Sequence, residues 1–100
     1  MAKLRSELDR ILRDICTNVY YQPPTGYKIK YPCIIYDLEK PDIKYADNKS
    51  YTIYDQYLIK YITRDPDDYT RYQIMQLEHC SADRPYAADN LYHHPFRIYW

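Results

Sequence analysis

A chain of 100 residues has the size of one domain and buries about 65% of the surface that its unfolded form exposes, which provides for one modest core. Fourteen Lys plus Arg balance 14 Asp plus Glu, so no global field draws the molecule to DNA, RNA or anionic lipid. Gly26 is the single glycine, which excludes a P-loop and a dinucleotide fingerprint, because both need several residues without side chains around a phosphate.

The first residues, Met1-Ala2-Lys3-Leu4-Arg5, are broken by charge and contain neither the apolar core of a signal peptide nor a run able to span a bilayer. This points to synthesis in the cytoplasm and to no membrane partner. Apolar residues then fall at Leu4, Leu8, Ile11, Leu12 and Ile15, with charged residues between them. The spacing predicts an amphipathic helix ending near Asn18. In "VYYQPPTGY", Pro23, Pro24 and Gly26 mark a connection after a short extended piece.

"IKYPCIIYDLE" reads as a strand centred on residues 33–38, with Pro41 expected to interrupt it before "IKY" resumes. "ADNKS" carries turn chemistry, and "YTIYDQYLIKYIT", residues 51–63, completes a hairpin. A helix over 51–63 would have no polar face, and nine Tyr, Ile or Thr in thirteen positions favour a strand. At about 3.3 Å per residue, such a strand spans about 43 Å, more than the roughly 34 Å across a compact domain of this size. Either it bends or one end of the hairpin projects.

In "RDPDDYTRYQIMQLEH", Asp65 is the expected N-cap, Pro66 the first helical residue, and Asp67 and Asp68 suit the positive end of the dipole. The helix is expected to reach Glu78, with Thr70, Ile74 and Leu77 facing inward. "CSADRPY" follows as a short strand, "AADNLYHH" as a loop, and "PFRIYW" as a closing strand with Phe96, Ile98 and Trp100 on one face. The fold class expected is α+β: a single domain over residues 1–100, an antiparallel sheet with a long projecting hairpin, and the N-terminal and second helices on one face.

Fifteen tyrosines suit surfaces that are half buried and half wet, and a projecting tyrosine-rich arm invites self-assembly or docking through "KYADNKSYTIY". Alternative chemistry is thinner. Cys16, Cys33 and Cys80 are an odd number without paired spacing and read as reduced, structural thiols. Cys80 beside His79, with Asp83 or Asp89 to orient it, is the best nucleophile, but sequence adjacency is not catalytic geometry. His79-Cys80 and His93-His94 lack zinc-ligand spacing, and adjacent strand residues point to opposite faces. A single-stranded nucleic-acid platform would use the tyrosines with Lys28, Lys30, Lys44, Lys49 and Lys60, yet Asp37, Glu39, Asp42, Asp47 and Asp55 interleave with them. Neither catalysis, a metal nor a cofactor is expected.

Several segments together, "KYPCIIYDLE", "KYADNKSY", "RDPD" and "LEHCSADRPYAADNLYHHPFRIYW", resemble the small tail terminator, tail completion or minor structural proteins of long-tailed bacteriophages, with residues 80–100 the most specific part. That resemblance implies a non-enzymatic assembly protein of the virion: a six-fold ring at the head-proximal end of the tail, assembled in the host cytoplasm. The ring would halt tube polymerisation and dock the head connector. Its partners would be sister copies, the tail tube protein and a connector or head-closure protein, with DNA only in transit through a neutral or acidic lumen. Head closure is the neighbouring role. Carried onto this chain, the resemblance and the arm argument assign subunit or connector contacts to Tyr45, Asp47, Asn48, Tyr51 and Tyr54, and to Asp83, Arg84, Asp89 and Asn90. The plainer reading of both Asp-Asn pairs is that they form turns.

Overall fold

The computed structural model describes residues 4–46 and 49–100, with side chains for 4–40 and 54–100. In chain order the elements are α1 (Arg5–Ile15), β1 (Val19–Tyr21), β2 (Cys33–Ala46), β3 (Lys49–Thr63), α2 (Thr70–Met75), β4 (Cys80–Ala82), β5 (Tyr86–Ala88) and β6 (Leu91–Tyr99). The six strands form one sheet in the order β1-β2-β3-β6-β4, with β5 also on β6. The α+β expectation holds, but the sheet is mixed rather than antiparallel. β1 lies parallel to β2, Val19 beside Ile34 and Tyr21 beside Tyr36, because residues 22–32 carry the chain back to the start of the sheet as a parallel return requires.

Strand alternation explains where the core sits. Register places Ile34 beside Tyr61, Tyr36 beside Ile59, Ile59 beside Phe96 and Tyr57 beside Ile98, so these side chains share one face. Leu8 and Leu12 of α1 and Ile74 of α2 pack onto that face, and all three are completely buried. Each contributes about 1.5–3 kcal/mol. Both helices therefore cover the same side of the sheet. Phe96, Ile98 and Trp100 are buried together as their spacing predicts, and the Trp100 indole Nε1–H donates to the Leu4 carbonyl at 2.9 Å, closing the C-terminus onto the start of α1.

Several element boundaries differ from the sequence expectation. α1 stops at Ile15 rather than near Asn18, because Cys16 turns extended while its N–H still donates to the Leu12 carbonyl. Asn18 is thereby free to accept the Ile34 N–H and align β1 with β2. Leu4, expected in the apolar stripe, precedes the helix and is 69% exposed.

α2 is shorter than expected at both ends. Residues 65–68 form a β-turn instead of its first turn: the Asp68 N–H donates to the Asp65 carbonyl at 3.3 Å and the Asp67 N–H to Asp65 Oδ1 at 2.9 Å. Proline's fixed φ suits the second position of such a turn as well as it suits a helix start. Of the three inward residues, Ile74 is buried, Thr70 half-buried, and Leu77 packs against the core beyond the helix end.

Neither proline breaks its strand. β2 runs through Pro41, where β1 has already ended and the outer side of β2 has no described partner, so an absent N–H on that side costs no ladder bond. β6 begins at Leu91 and runs through Pro95, correcting the expected loop at 87–94. The Pro95 carbonyl accepts the Asp83 N–H at 2.9 Å, and in an antiparallel pair a residue's two backbone groups point the same way. Its missing N–H therefore faces the break between β4 and β5, away from β3.

Candidate functional site

The sheet ends in open edges. β1 covers β2 only over residues 34–36, leaving the outer side of β2 unpaired from Asp37 onward among the described residues. β6 covers β3 only over residues 56–63, and Asp55 and Trp100 then exchange both backbone bonds at 2.9 and 3.2 Å. On the far border, two three-residue strands share the outer side of β6: β4 on residues 96–98 and β5 on residues 91–93. Between them the chain crosses Asp83, Arg84 and Pro85 without pairing as strand.

The face away from the helices carries a polar lattice across three strands and the border break. A register shift between Leu38 and Lys40 leaves Glu39 as the extra residue of a bulge. Its Oε2 accepts the Gln56 amide at 3.1 Å and stands 3.4 Å from Arg97 Nε, which lies 3.6 Å from Asp83 Oδ2. The expected contact residue Asp83 thus joins the break after β4 to β6 and, through Arg97, to β2. These ion pairs are partly exposed, so each adds at most about 1 kcal/mol.

The other expected contacts divide. Asp89 and Asn90 occupy a two-residue loop between Ala88 and Leu91 with φ of 54° and 62°, the two positive angles of a type I′ hairpin turn. Turn geometry alone accounts for both residue types. Arg84 is exposed in the border break. Tyr54 is half-buried with its ring 6.3 Å from that of His79. Asp47 and Asn48 lie outside the described residues, as do the side chains of Tyr45 and Tyr51. Among the described residues, Tyr54, Asp83, Arg84 and the Asp89-Asn90 turn are not gathered into one patch.

The thiols are held protonated. Burial pushes Cys33 up to about 12 and Cys80 up to about 11, and raises Cys16. Cys80 therefore lacks the depressed pKa of a nucleophile; His79 Nε2 faces Glu78 at 3.5 Å, Asp83 faces Arg97, and Asp89 sits in its turn. His93 and His94 stand on opposite faces of β6: His93 stacks on Tyr86 at 4.7 Å and His94 on Tyr61 at 6.4 Å.

Two carboxylates fasten the helical layer to buried tyrosines. Tyr36, fully buried, donates its hydroxyl to Asp9 Oδ1 at 2.6 Å and accepts from Arg5 Nη1 at 2.7 Å. Burial, then the Asp9 carboxylate, raise its pKa. Tyr61 donates to Asp68 Oδ2 at 2.5 Å and is pushed up to about 12 by burial and by that carboxylate. Asp68 also accepts from Thr63 Oγ1 and the Thr70 N–H.

A feature that residue patterns missed is a cleft of about 320 Å³ between α2 and the border break, with Pro66, Tyr72, Met75, Pro85, His94 and Phe96 in its walls. It exists because β4 and β5 leave a gap over Pro95, which no local pattern reveals. No helix among the described residues is long and apolar enough to cross a membrane. Comparison with family models, curated proteins and solved structures found no match for this chain.

Proposed function

We propose that this chain is a phage structural protein that closes into a ring at the head-proximal end of the tail, stops tube polymerisation, and presents the surface on which the head connector docks. The observation that carries the reading is the pair of open borders on one small sheet. One lies along β2 past β1, and the other along the short strands β4 and β5. An unpaired edge is a template for another chain, and two different edges on one subunit make head-to-tail contacts that close into a ring at the right rotation.

In this reading the β2–β3 hairpin is an arm reaching past the body to a sister copy. Its support is the 14- and 15-residue length of the two strands, the departure of β6 at Asp55, and a longest dimension of 49 Å against 25 and 23 Å. Exposed tyrosines, among them Tyr27, Tyr69, Tyr72 and Tyr86 at 44–73% exposure, supply contact area with little side-chain entropy to lose. The resemblance of residues 20–100 to tail terminators supplies the place of the ring in the virion.

Electron microscopy of particles from a strain lacking this gene tests the proposal. Tails of uncontrolled length, or finished tails beside unjoined heads, are expected. Tails of normal length joined to filled heads would refute it.

A further inference from the structure

Residues 64–79 join the end of β3 to the start of β4 and carry α2 as a strap across the helix-side face of the sheet. Both ends of the strap are fixed, because β3 and β4 each pair with β6, so it can leave the sheet without unzipping a strand. At six residues α2 is far shorter than the roughly 12–15 that a helix needs to persist alone in water, so it is helical only while docked. Few groups dock it. Ile74 is completely buried, Leu77 packs against the core, and Asp68 accepts the hydroxyls of Tyr61 and Thr63 on β3.

Beside the strap stands His94 of β6. Register sets it opposite Tyr61, its ring stacks on the Tyr61 ring at 6.4 Å, and it shares the cleft wall with Arg71, Tyr72 and Met75 of the strap. Its Nε2 is buried and has no hydrogen-bond partner among the described residues. A neutral imidazole can keep a lone pair there. In the imidazolium both ring nitrogens carry a hydrogen, so Nε2 becomes a buried, charged donor with no acceptor.

The surrounding groups give that charge little relief. Both Asp68 carboxylate oxygens are already engaged, Oδ2 by Tyr61 and Thr63 and Oδ1 by the Thr70 N–H, and the Asp68 carbonyl accepts from Arg71. Burial first, then Arg71, with His93 acting the same way, lower the proton affinity of His94, and Asp68 opposes them. The other charges of these elements have partners of their own: Asp83 faces Arg97, Arg64 lies over the Tyr31 ring, Asp65 accepts the N–H of exposed Asp67, and His79 faces Glu78.

We propose that His94 is an acid-sensitive catch for the strap: when its ring takes up a proton, residues 65–77 lift from the sheet, α2 melts, and the Nε2–H reaches water. Lifting uncovers Phe96 and the Tyr61 ring and frees Ile74, all of them buried in the closed form. The catch works within one copy and does not depend on closure into a ring.

Amide hydrogen exchange of the full chain, followed by NMR and corrected for the intrinsic pH dependence of exchange, reads the opening residue by residue. The Tyr72, Gln76 and Leu77 amides, which donate within the strap, should be less protected than the Ile34 amide, which bonds to Asn18 in the sheet and is released only by unfolding. Between pH 7.5 and 5.5 the strap amides should lose protection by up to about 10-fold, the most that one group with an ordinary pKa of 6.5 supplies over that range. The fall should level off where the His94 ring resonances titrate in the folded protein. His94→Gln, neutral at every pH, should abolish the fall, and Arg71→Gln, which removes an opposing cation, should shrink it. Strap amides as protected as Ile34, protection constant from pH 7.5 to 5.5, or an undiminished fall in His94→Gln overturns the catch.

Discussion

Replacing Asp68 with Asn asks whether one carboxylate ties α2 to the sheet. Its Oδ2 accepts the hydroxyls of Tyr61 and Thr63 at 2.5 and 3.1 Å, and its Oδ1 accepts the Thr70 N–H at 2.9 Å. Burial raises the pKa of this carboxyl, but the hydrogen bonds, led by that from Tyr61, outweigh it and hold the group at about 2 against an ordinary 3.8. At full strength that difference corresponds to about 2.4 kcal/mol; partial solvent contact screens it to about 1–2 kcal/mol. Asparagine keeps one acceptor oxygen, so either the two hydroxyls or the Thr70 N–H loses its partner. An unsatisfied hydroxyl on the buried Tyr61 costs about 1–3 kcal/mol. Both routes give a loss of about 2 kcal/mol at pH 7.

The pH dependence has a definite sign. Because folding depresses this pKa, its stabilisation is complete above about pH 4 and is lost as pH falls through the folded value near 2. Urea unfolding followed by Trp100 fluorescence measures it. The gap between wild type and Asp68→Asn should be about 2 kcal/mol at pH 7 and clearly smaller at pH 3. Equal midpoints at pH 7, or a gap constant from pH 7 to pH 3, would refute the reasoning.

Asn90→Gly should leave stability unchanged or raise it by about 0.5 kcal/mol, since glycine takes the positive φ freely, while Asn90→Val should cost more than about 1 kcal/mol. Chemical denaturation checks this, and an assembly defect in a fully stable Asn90→Gly protein would show that the side chain makes a contact beyond the turn. His94 has its pKa lowered by burial, then by Arg71, with His93 acting the same way and Asp68 against them. The unfolded chain therefore takes up the proton first, so stability should fall as pH drops below about 7, down to the folded pKa. Melting temperatures between pH 7.5 and 5 should show that fall, and His94→Gln should flatten it; an unchanged slope contradicts the assignment.

What was legible in the sequence is what a local pattern fixes. Leu8, Leu12 and Ile15 repeat at helical spacing, and Phe96, Ile98 and Trp100 alternate, so α1 and the end of β6 could be read directly. The start of α2 could not, because Asp-Pro-Asp serves equally as a turn or as a first helical turn. Pro41 and Pro95 look like strand breakers until it is known which side of each strand lacks a partner, and that is a property of the whole sheet. The parallel placement of β1 likewise depends on where residues 22–32 return. Of the expected contacts, Asp83 was placed in a cross-strand lattice that register creates, whereas Asp89 and Asn90 were recognisable as turn formers from their residue types.

The interrupted border over Pro95 limits how this protein can meet others. A long smooth rim would let copies zip together without end, as in a fibril; two three-residue ribbons separated by a proline gap allow only a brief handshake before the pattern fails. In the proposed ring such a notch would reward one orientation and starve unlimited growth.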